Sequence, residues 1–233
     1  MTSSQYFDRR NELETYFDRT AVVAWSRLTS DAPLGRIRAT VRAGRDDMRR
    51  TLLSWLPDDL RGARLLDAGC GTGALSIDAA RRGADVVAVD ISPSLIEIAR
   101  MRVPTDLNPS AIRFISGDML DPSLGGFDFI VAMDSIIHYR PEDVTRMIAS
   151  LSTWTSTSLL FTFAPRTPAL SVMHAVGRAF PRSDRAPAIE PVSELHLRRL
   201  LADHPDLADW TFGRDRRIAS GFYKSHALEL VPR

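Results

Sequence analysis

The chain has 233 residues, 44% of them hydrophobic and 25% charged, with a formal net charge of +1. That is enough apolar sequence for one sizeable α/β core, and the near-neutral balance gives no overall pull toward nucleic acid or an anionic membrane. The single cysteine excludes an internal disulfide, no apolar run approaches the roughly 18 residues that span a bilayer, and the polar start from Met1 to Arg10 is no signal peptide, which together predict a cytoplasmic protein.

The first 60 residues read as a helical arm ahead of the main α/β domain, which occupies residues 61–233. Tyr16-Phe17-Asp18-Arg19-Thr20 and Trp25-Ser26-Arg27-Leu28 precede a helix from Arg36 to Arg50. That helix carries Arg36, Arg38, Arg42, Arg45, Arg49 and Arg50 against two acids, Asp46 and Asp47. Most of these arginines read as a solvated face. An arm before the first strand of such a domain folds over the ligand mouth, so Arg36, Arg38 and Arg42 are candidates to pair with an anionic substrate.

Arg64 to Ala68 reads as a buried parallel strand, and Gly69-Cys70-Gly71-Thr72-Gly73 at its end lets the backbone turn sharply and approach a ligand. Cys70 reads as a small packing residue within the loop. Ala74 to Arg82 predicts the following helix, ended by Gly83, and Ala84 to Val89 a second strand. That strand closes on Asp90, the acid expected about 20 residues past such a loop, where it accepts from ribose hydroxyls. Gly69, Gly71 and Ala74 also satisfy the dinucleotide pattern. Asp67 decides between ligands: an acid beside the glycines repels a pyrophosphate but suits S-adenosylmethionine, which bears an ammonium group and no phosphate.

Ser92-Pro93 caps and starts a helix to Arg102. Ile112 to Ser116 is the third strand, followed by Gly117-Asp118-Met119, an acid that can accept from an adenine amino group and a methionine that can pack on the ring. Phe127 to Met133 is the fourth strand, Pro141 to Leu151 a helix, and Ser158 to Phe163 the fifth strand. Next come an apolar helix candidate from Ala169 to Phe180, a polar loop to Pro191 and a helix from Ser193 to Ala202. Strands Trp210 to Ile218 and Gly221 to Leu230 meet at Ser220-Gly221 as a hairpin. This alternation predicts a Rossmann-like, doubly wound α/β sheet of six parallel strands and one antiparallel, with an N-terminal helical arm and a helical insertion after the fifth strand. Leu170, Val172, Met173, Val176 and Phe180 make residues 165–192 either plain core packing or a lid, with Met173 a substrate contact. His174, His196, His204 and His226 read as structural.

Asp67, the glycines, Asp90 and Asp118 together resemble the class I S-adenosylmethionine-dependent methyltransferases, in which these positions hold the methionine amino group, the ribose and the adenine. The cofactor set so read is Asp67, Gly69, Gly71, Gly73, Asp90, Ile91, Gly117, Asp118, Met119 and Met133. A narrower pattern, Tyr16-Phe17, then Trp25-Ser26-Arg27, then Arg42-Ala43-Gly44-Arg45, with Asp134-Ser135-Ile136-Ile137-His138-Tyr139, resembles the magnesium-protoporphyrin IX methyltransferases of chlorophyll and bacteriochlorophyll synthesis. That resemblance covers nearly the whole chain. It implies methyl transfer to one propionate of magnesium-protoporphyrin IX, giving the monomethyl ester and S-adenosylhomocysteine, in a phototrophic bacterium, with Tyr16 and His138 catalytic. A magnesium chelatase subunit that delivers the porphyrin and a peripheral membrane contact are the further partners considered.

A propionate, with a reference pKa of roughly 4.3, is ionised at neutral pH and is already the nucleophile. The protein must align carboxylate oxygen, methyl carbon and sulfonium, and exclude water. His138 follows the fourth strand at the carboxyl edge of the sheet, where a donor would orient the carboxylate. Tyr16 reads as a second donor or as an aromatic anchor for the arm, and Tyr6-Phe7-Asp8-Arg9 repeats its local pattern. One imidazole without carboxylates is a poor magnesium site, so no protein-bound metal is expected, the magnesium being carried by the substrate. Two other readings stay open: a methyltransferase for another small acid or a quinone precursor, and a non-enzymatic porphyrin carrier.

Overall fold

The computed structural model describes residues 4–20, 22–30, 34–166 and 189–233. Seven strands share one sheet: β1 Arg64–Ala68, β2 Asp85–Asp90, β3 Ile112–Ser116, β4 Phe127–Ala132, β5 Thr155–Phe163, β6 Trp210–Ser220 and β7 Tyr223–Pro232. Their order is β3-β2-β1-β4-β5-β7-β6. The first five pair in parallel, and β7 runs antiparallel to both β5 and β6. Six strands therefore run one way and one is reversed, as the sequence predicts. The order reverses direction between β1 and β4, and the crevice outside their carboxyl ends is where open sheets of this kind bind ligands.

Alternation along the strands divides the core into two layers. Leu66, Val87, Ile130, Phe161 and Leu228 face one side, under α6 (Pro141–Ser152) and α7 (Glu194–Ala202). Leu65, Val86, Phe129, Leu160 and Ala227 face the other, together with Leu75 of α4 (Ala74–Arg81) and Met48, Leu52 and Leu53 of α3 (Arg36–Ser54). The boundary expected at residue 60 thus runs through one core. α3 continues past Arg50 because Leu52 and Leu53 prolong its buried stripe, and only α1 (Ser4–Thr15), a π-helical turn (Tyr16–Thr20) and α2 (Val22–Leu28) form an arm.

Strand and helix limits elsewhere differ from the sequence reading by up to three residues. α5 (Pro93–Met101) starts at the proline after its cap, with Ser92 Oγ accepting from Leu95 N at 3.2 Å. The helix expected from Ala169 to Phe180, with Met173 and His174, lies outside the described residues, as does most of the candidate lid at 165–192.

Candidate active site

The loop after β1 approaches the turn after β4 so closely that a side chain cannot stand between them. Gly69 has φ +85°, and a Cβ there would lie 2.2 Å from Ser135 Cβ. Ser135 Oγ donates to Ala68 O at 2.7 Å across the same gap. A cavity of about 280 Å³ opens beside this junction, with Asp67, Gly69, Gly71, Asp90, Ile91, Met119 and Met133 in its lining. Asp90 accepts from Gly71 N at 2.8 Å and Ser92 N at 3.0 Å, which fixes its carboxylate at the end of β2. Asp67, 2% exposed, accepts from Ser76 Oγ at 2.6 Å.

No arginine, lysine or histidine pairs with Asp67 or Asp90 among the described residues. Burial pushes Asp67 up to about 7, with the Ser76 hydrogen bond opposing and the charge of Asp90 adding; burial also raises Asp90, against the Ser92 and Gly71 backbone donors. Asp67, a buried acid beside the glycines without a protein cation, favours a ligand that brings positive charge over a pyrophosphate. S-adenosylmethionine fits this lining: its ammonium group suits Asp67, its ribose hydroxyls Asp90, and its ring the apolar Ile91 and Met119.

The arm closes the cavity. Phe17, Trp25, Leu28 and Thr29 all line it. The arm is tied down by Thr72 Oγ1 donating to Thr29 Oγ1 at 2.9 Å, Arg102 donating to Ser26 O at 2.8 Å, and Ser94 N donating to Asp18 at 3.0 Å. The hydrogen bonds from Ser94, backbone N–H first, and from Ser92 hold Asp18 below its ordinary pKa. The π-helical turn carries Tyr16 and Phe17 in succession, an insertion of the kind that concentrates at functional sites.

Behind Phe17 and Trp25 lies a second cavity of about 360 Å³, more apolar than the first, with Tyr16, Val41, Ile137 and Phe222 in its wall. The two cavities share Phe17, Trp25, Leu28, Arg45, Asp134 and His138. His138, 9% exposed, sits in a 3₁₀ turn and meets the Phe17 ring edge-on at 5.8 Å between centroids. Tyr16 belongs to the second cavity alone, and burial raises its pKa, so the phenol stays a donor at neutral pH.

Asp134 organises this shared wall. It is the one described residue other than glycine with positive φ, at 53°. Its carboxylate accepts from Arg45 Nη1 at 2.6 Å, Tyr223 Oη at 2.9 Å, Ser225 Oγ at 3.0 Å and Thr162 Oγ1 at 3.1 Å. Four donors over-determine a conformation that costs roughly 1 kcal/mol or more. Arg45 also stacks over Trp25, 4.6 Å from the ring centroid. Sequence reasoning assigned no role to Asp134, Arg45 or Tyr223; the available signal was the position of Asp134 at the carboxyl end of β4.

Other expected site residues fall outside the linings or are engaged elsewhere. Gly73 packs on Ala99 and Phe114, and Gly117 N donates to Asp90 O at 2.9 Å. Asp118 does not border the cavity; it accepts from Tyr6 Oη at 2.8 Å and Leu120 N at 2.9 Å, and so anchors α1. Arg42 lines the cofactor cavity, but its guanidinium caps α2 through Leu28 O and Arg27 O. Arg38 lines the second cavity, whereas Arg36 lines neither. Away from the site, Glu194, Asp215 and His226 converge within 4.8 Å, yet Arg198 bridges both carboxylates at 2.8 and 2.9 Å, and the His226 ring stacks on Phe163.

Fold and site together define an S-adenosylmethionine-dependent methyltransferase of class I. A family described as a methyltransferase domain matches residues 65–157, and the magnesium-protoporphyrin IX methyltransferase C-terminus matches residues 132–232. The magnesium-protoporphyrin O-methyltransferase of Rhodobacter capsulatus is 49% identical over 230 residues, covering 98% of this chain and 99% of that one. The crystal structure of magnesium protoporphyrin IX methyltransferase from Synechocystis with bound SAH superposes with a TM-score of 0.85 at 27% identity, over 97% of this chain and 100% of the other. A ubiquinone biosynthesis O-methyltransferase of Xanthomonas oryzae is 34% identical, but over 52% of each chain. The chain belongs to the magnesium-protoporphyrin O-methyltransferases.

Proposed function

We propose that this chain transfers the methyl group of S-adenosylmethionine to a propionate carboxylate of magnesium-protoporphyrin IX, forming the monomethyl ester and S-adenosylhomocysteine. The observation that carries this reading is the shared wall: a polar cavity suited to a sulfonium nucleoside meets an apolar cavity suited to the edge of a macrocycle, with His138 in both linings and Tyr16 beside it. S-adenosylmethionine supplies an electrophilic methyl on a positively charged sulfur. The propionate oxygen forms the new O–C bond as the C–S bond breaks, and no proton need move, because the carboxylate is ionised.

The chain's own work is therefore positioning. His138 and Tyr16 donate to the carboxylate and aim it across the wall. Phe17, Trp25 and Leu28 exclude the water that would blunt it. Full-length family likeness, against a match to half the chain for the quinone enzyme, favours the porphyrin over a quinone precursor. Exposed Ile37 and Phe222, 59% and 53% accessible, support hand-over of the porphyrin from a chelatase subunit or a membrane surface, and no described helix is long and apolar enough to cross a membrane. Within the cell we place the protein in the cytoplasm, with at most a peripheral membrane contact.

The test pairs a Soret-band titration of magnesium-protoporphyrin IX with mass detection of the ester. Micromolar binding and monoester formation are expected. Tyr16→Phe and His138→Gln should each lower kcat about 10- to 100-fold through lost alignment while the porphyrin still binds. No Soret shift in the wild type overturns the substrate, and wild-type turnover in a variant removes that side chain from the mechanism.

A further inference from the structure

The cations of α3 and of the second cavity's lining include some with partners and some without. In α3, Arg42 caps α2, Arg45 pairs with Asp134, Arg49 with Asp46 and Asp78, and Arg50 with Asp47. Arg38 and Lys224 line the second cavity and have no ion-pair partner among the described residues. Asp134 is the acid of that lining, and its oxygens are taken by Arg45, Tyr223, Ser225 and Thr162. An apolar chamber edged by two uncompensated cations calls for a ligand that is apolar in the middle and anionic in more than one place.

Their placement has a direction. Arg38 lies seven residues before Arg45, on one face of α3 and about 10.5 Å along its axis. Arg45 stands at the shared wall beside His138; Arg38 stands toward the start of the helix. Lys224 pairs in register with Ala219, and Ser220 Oγ beside Ala219 donates to Thr40 O at 2.9 Å, so the β6–β7 turn meets the same end of α3, and Lys224, alternating with Tyr223 and Ser225, borders the cavity from the sheet edge.

We propose that Arg38 and Lys224 form an anion subsite for the second, non-reacting propionate of the porphyrin; this rests on the function proposed above. The two propionates of protoporphyrin hang from neighbouring pyrroles on one edge of the macrocycle. With one at His138, the other lies along α3 toward Arg38 and Lys224. The subsite also limits the reaction to one ester, because a monoester entering in the opposite sense would set a neutral methyl ester against two bare cations.

The experiment uses Arg38→Met, Lys224→Met and the double variant, with two probes: magnesium-protoporphyrin IX, and a magnesium porphyrin in which one propionate is replaced by ethyl. Both side chains are solvent-accessible, and a cofactor titration by calorimetry verifies folding. Each single variant should weaken binding of the diacid about tenfold by Soret titration, a size expected of a charge-assisted contact. The monoacid should bind wild type and variants equally, and the double variant should accumulate diester. Diacid affinity unchanged in the double variant, or lost equally for both probes, overturns the subsite. A wild type that binds the diacid tenfold better than the monoacid but forms no ester upholds the subsite and overturns the reaction instead.

Discussion

Asp67 shows how one buried carboxyl sets the pH response of the site. Its pKa is raised to about 7, so the ligand-free folded chain keeps a proton that the unfolded chain releases near the ordinary carboxylate value. Its contribution to stability therefore falls as pH rises from about 4 to 7 and is level above that. An ammonium ligand reverses the preference, because it pairs with the charged form. Cofactor affinity should rise with pH to about 7, with release of about half a proton per ligand at pH 7, and fall once the ligand amino group deprotonates near 8. Calorimetry in buffers of different ionisation enthalpy measures that proton, and Asp67→Asn should abolish it. Gly44 is the second telling residue. A Cβ there would lie 2.5 Å from Tyr223 Cδ1, so Gly44→Ala must push α3 off β7 and loosen the Tyr223–Asp134 hydrogen bond. A loss of about 1–3 kcal/mol in denaturant unfolding is expected.

Among the elements, the arm is fastened to the domain by polar ties. Asp18 reaches across to the start of α5, where Ser94 N and Ser92 Oγ donate to it. Asp18→Ala should leave the sheet's unfolding midpoint within about 0.5 kcal/mol while weakening cofactor binding about fivefold or more, since it unfastens the cover without touching the ligand. Equal loss in both measurements would refute the tether. The elements were legible in the sequence to differing degrees. β1 and its loop could be read because strand, glycines and Asp67 signal locally, and β6 and β7 because Ser220-Gly221 marks the turn between them. The π-helical turn could not: it carries no local signal, and the Phe17 on it meets Trp25 of the next helix and His138, 121 residues on. The partner of Asp118 was illegible for the same reason: its place after the third strand suggests an adenine contact, and the Tyr6 that donates to it lies 112 residues away.

At the scale of the whole molecule, the sheet holds the acids and glycines of the first cavity on strand ends while the second cavity is assembled from the arm, α3 and the β6–β7 hairpin. That division explains why the cofactor class could be read from a ten-residue stretch and the substrate only from scattered positions such as Tyr16, Gly44 and His138. It also has a thermodynamic result. Phe17, Trp25 and Leu28 belong to both cavities, so a molecule in either one fixes the wall that the other leans on. Occupancy is then reciprocal: S-adenosylhomocysteine should tighten porphyrin binding by the same factor that the porphyrin tightens S-adenosylhomocysteine, about fivefold or more, measurable by titrating each in the presence of the other. Absent coupling would mean that the wall is rigid. With a mutual grip of this sort the two spent products are expected to hold one another in place, so that the first to depart frees the second.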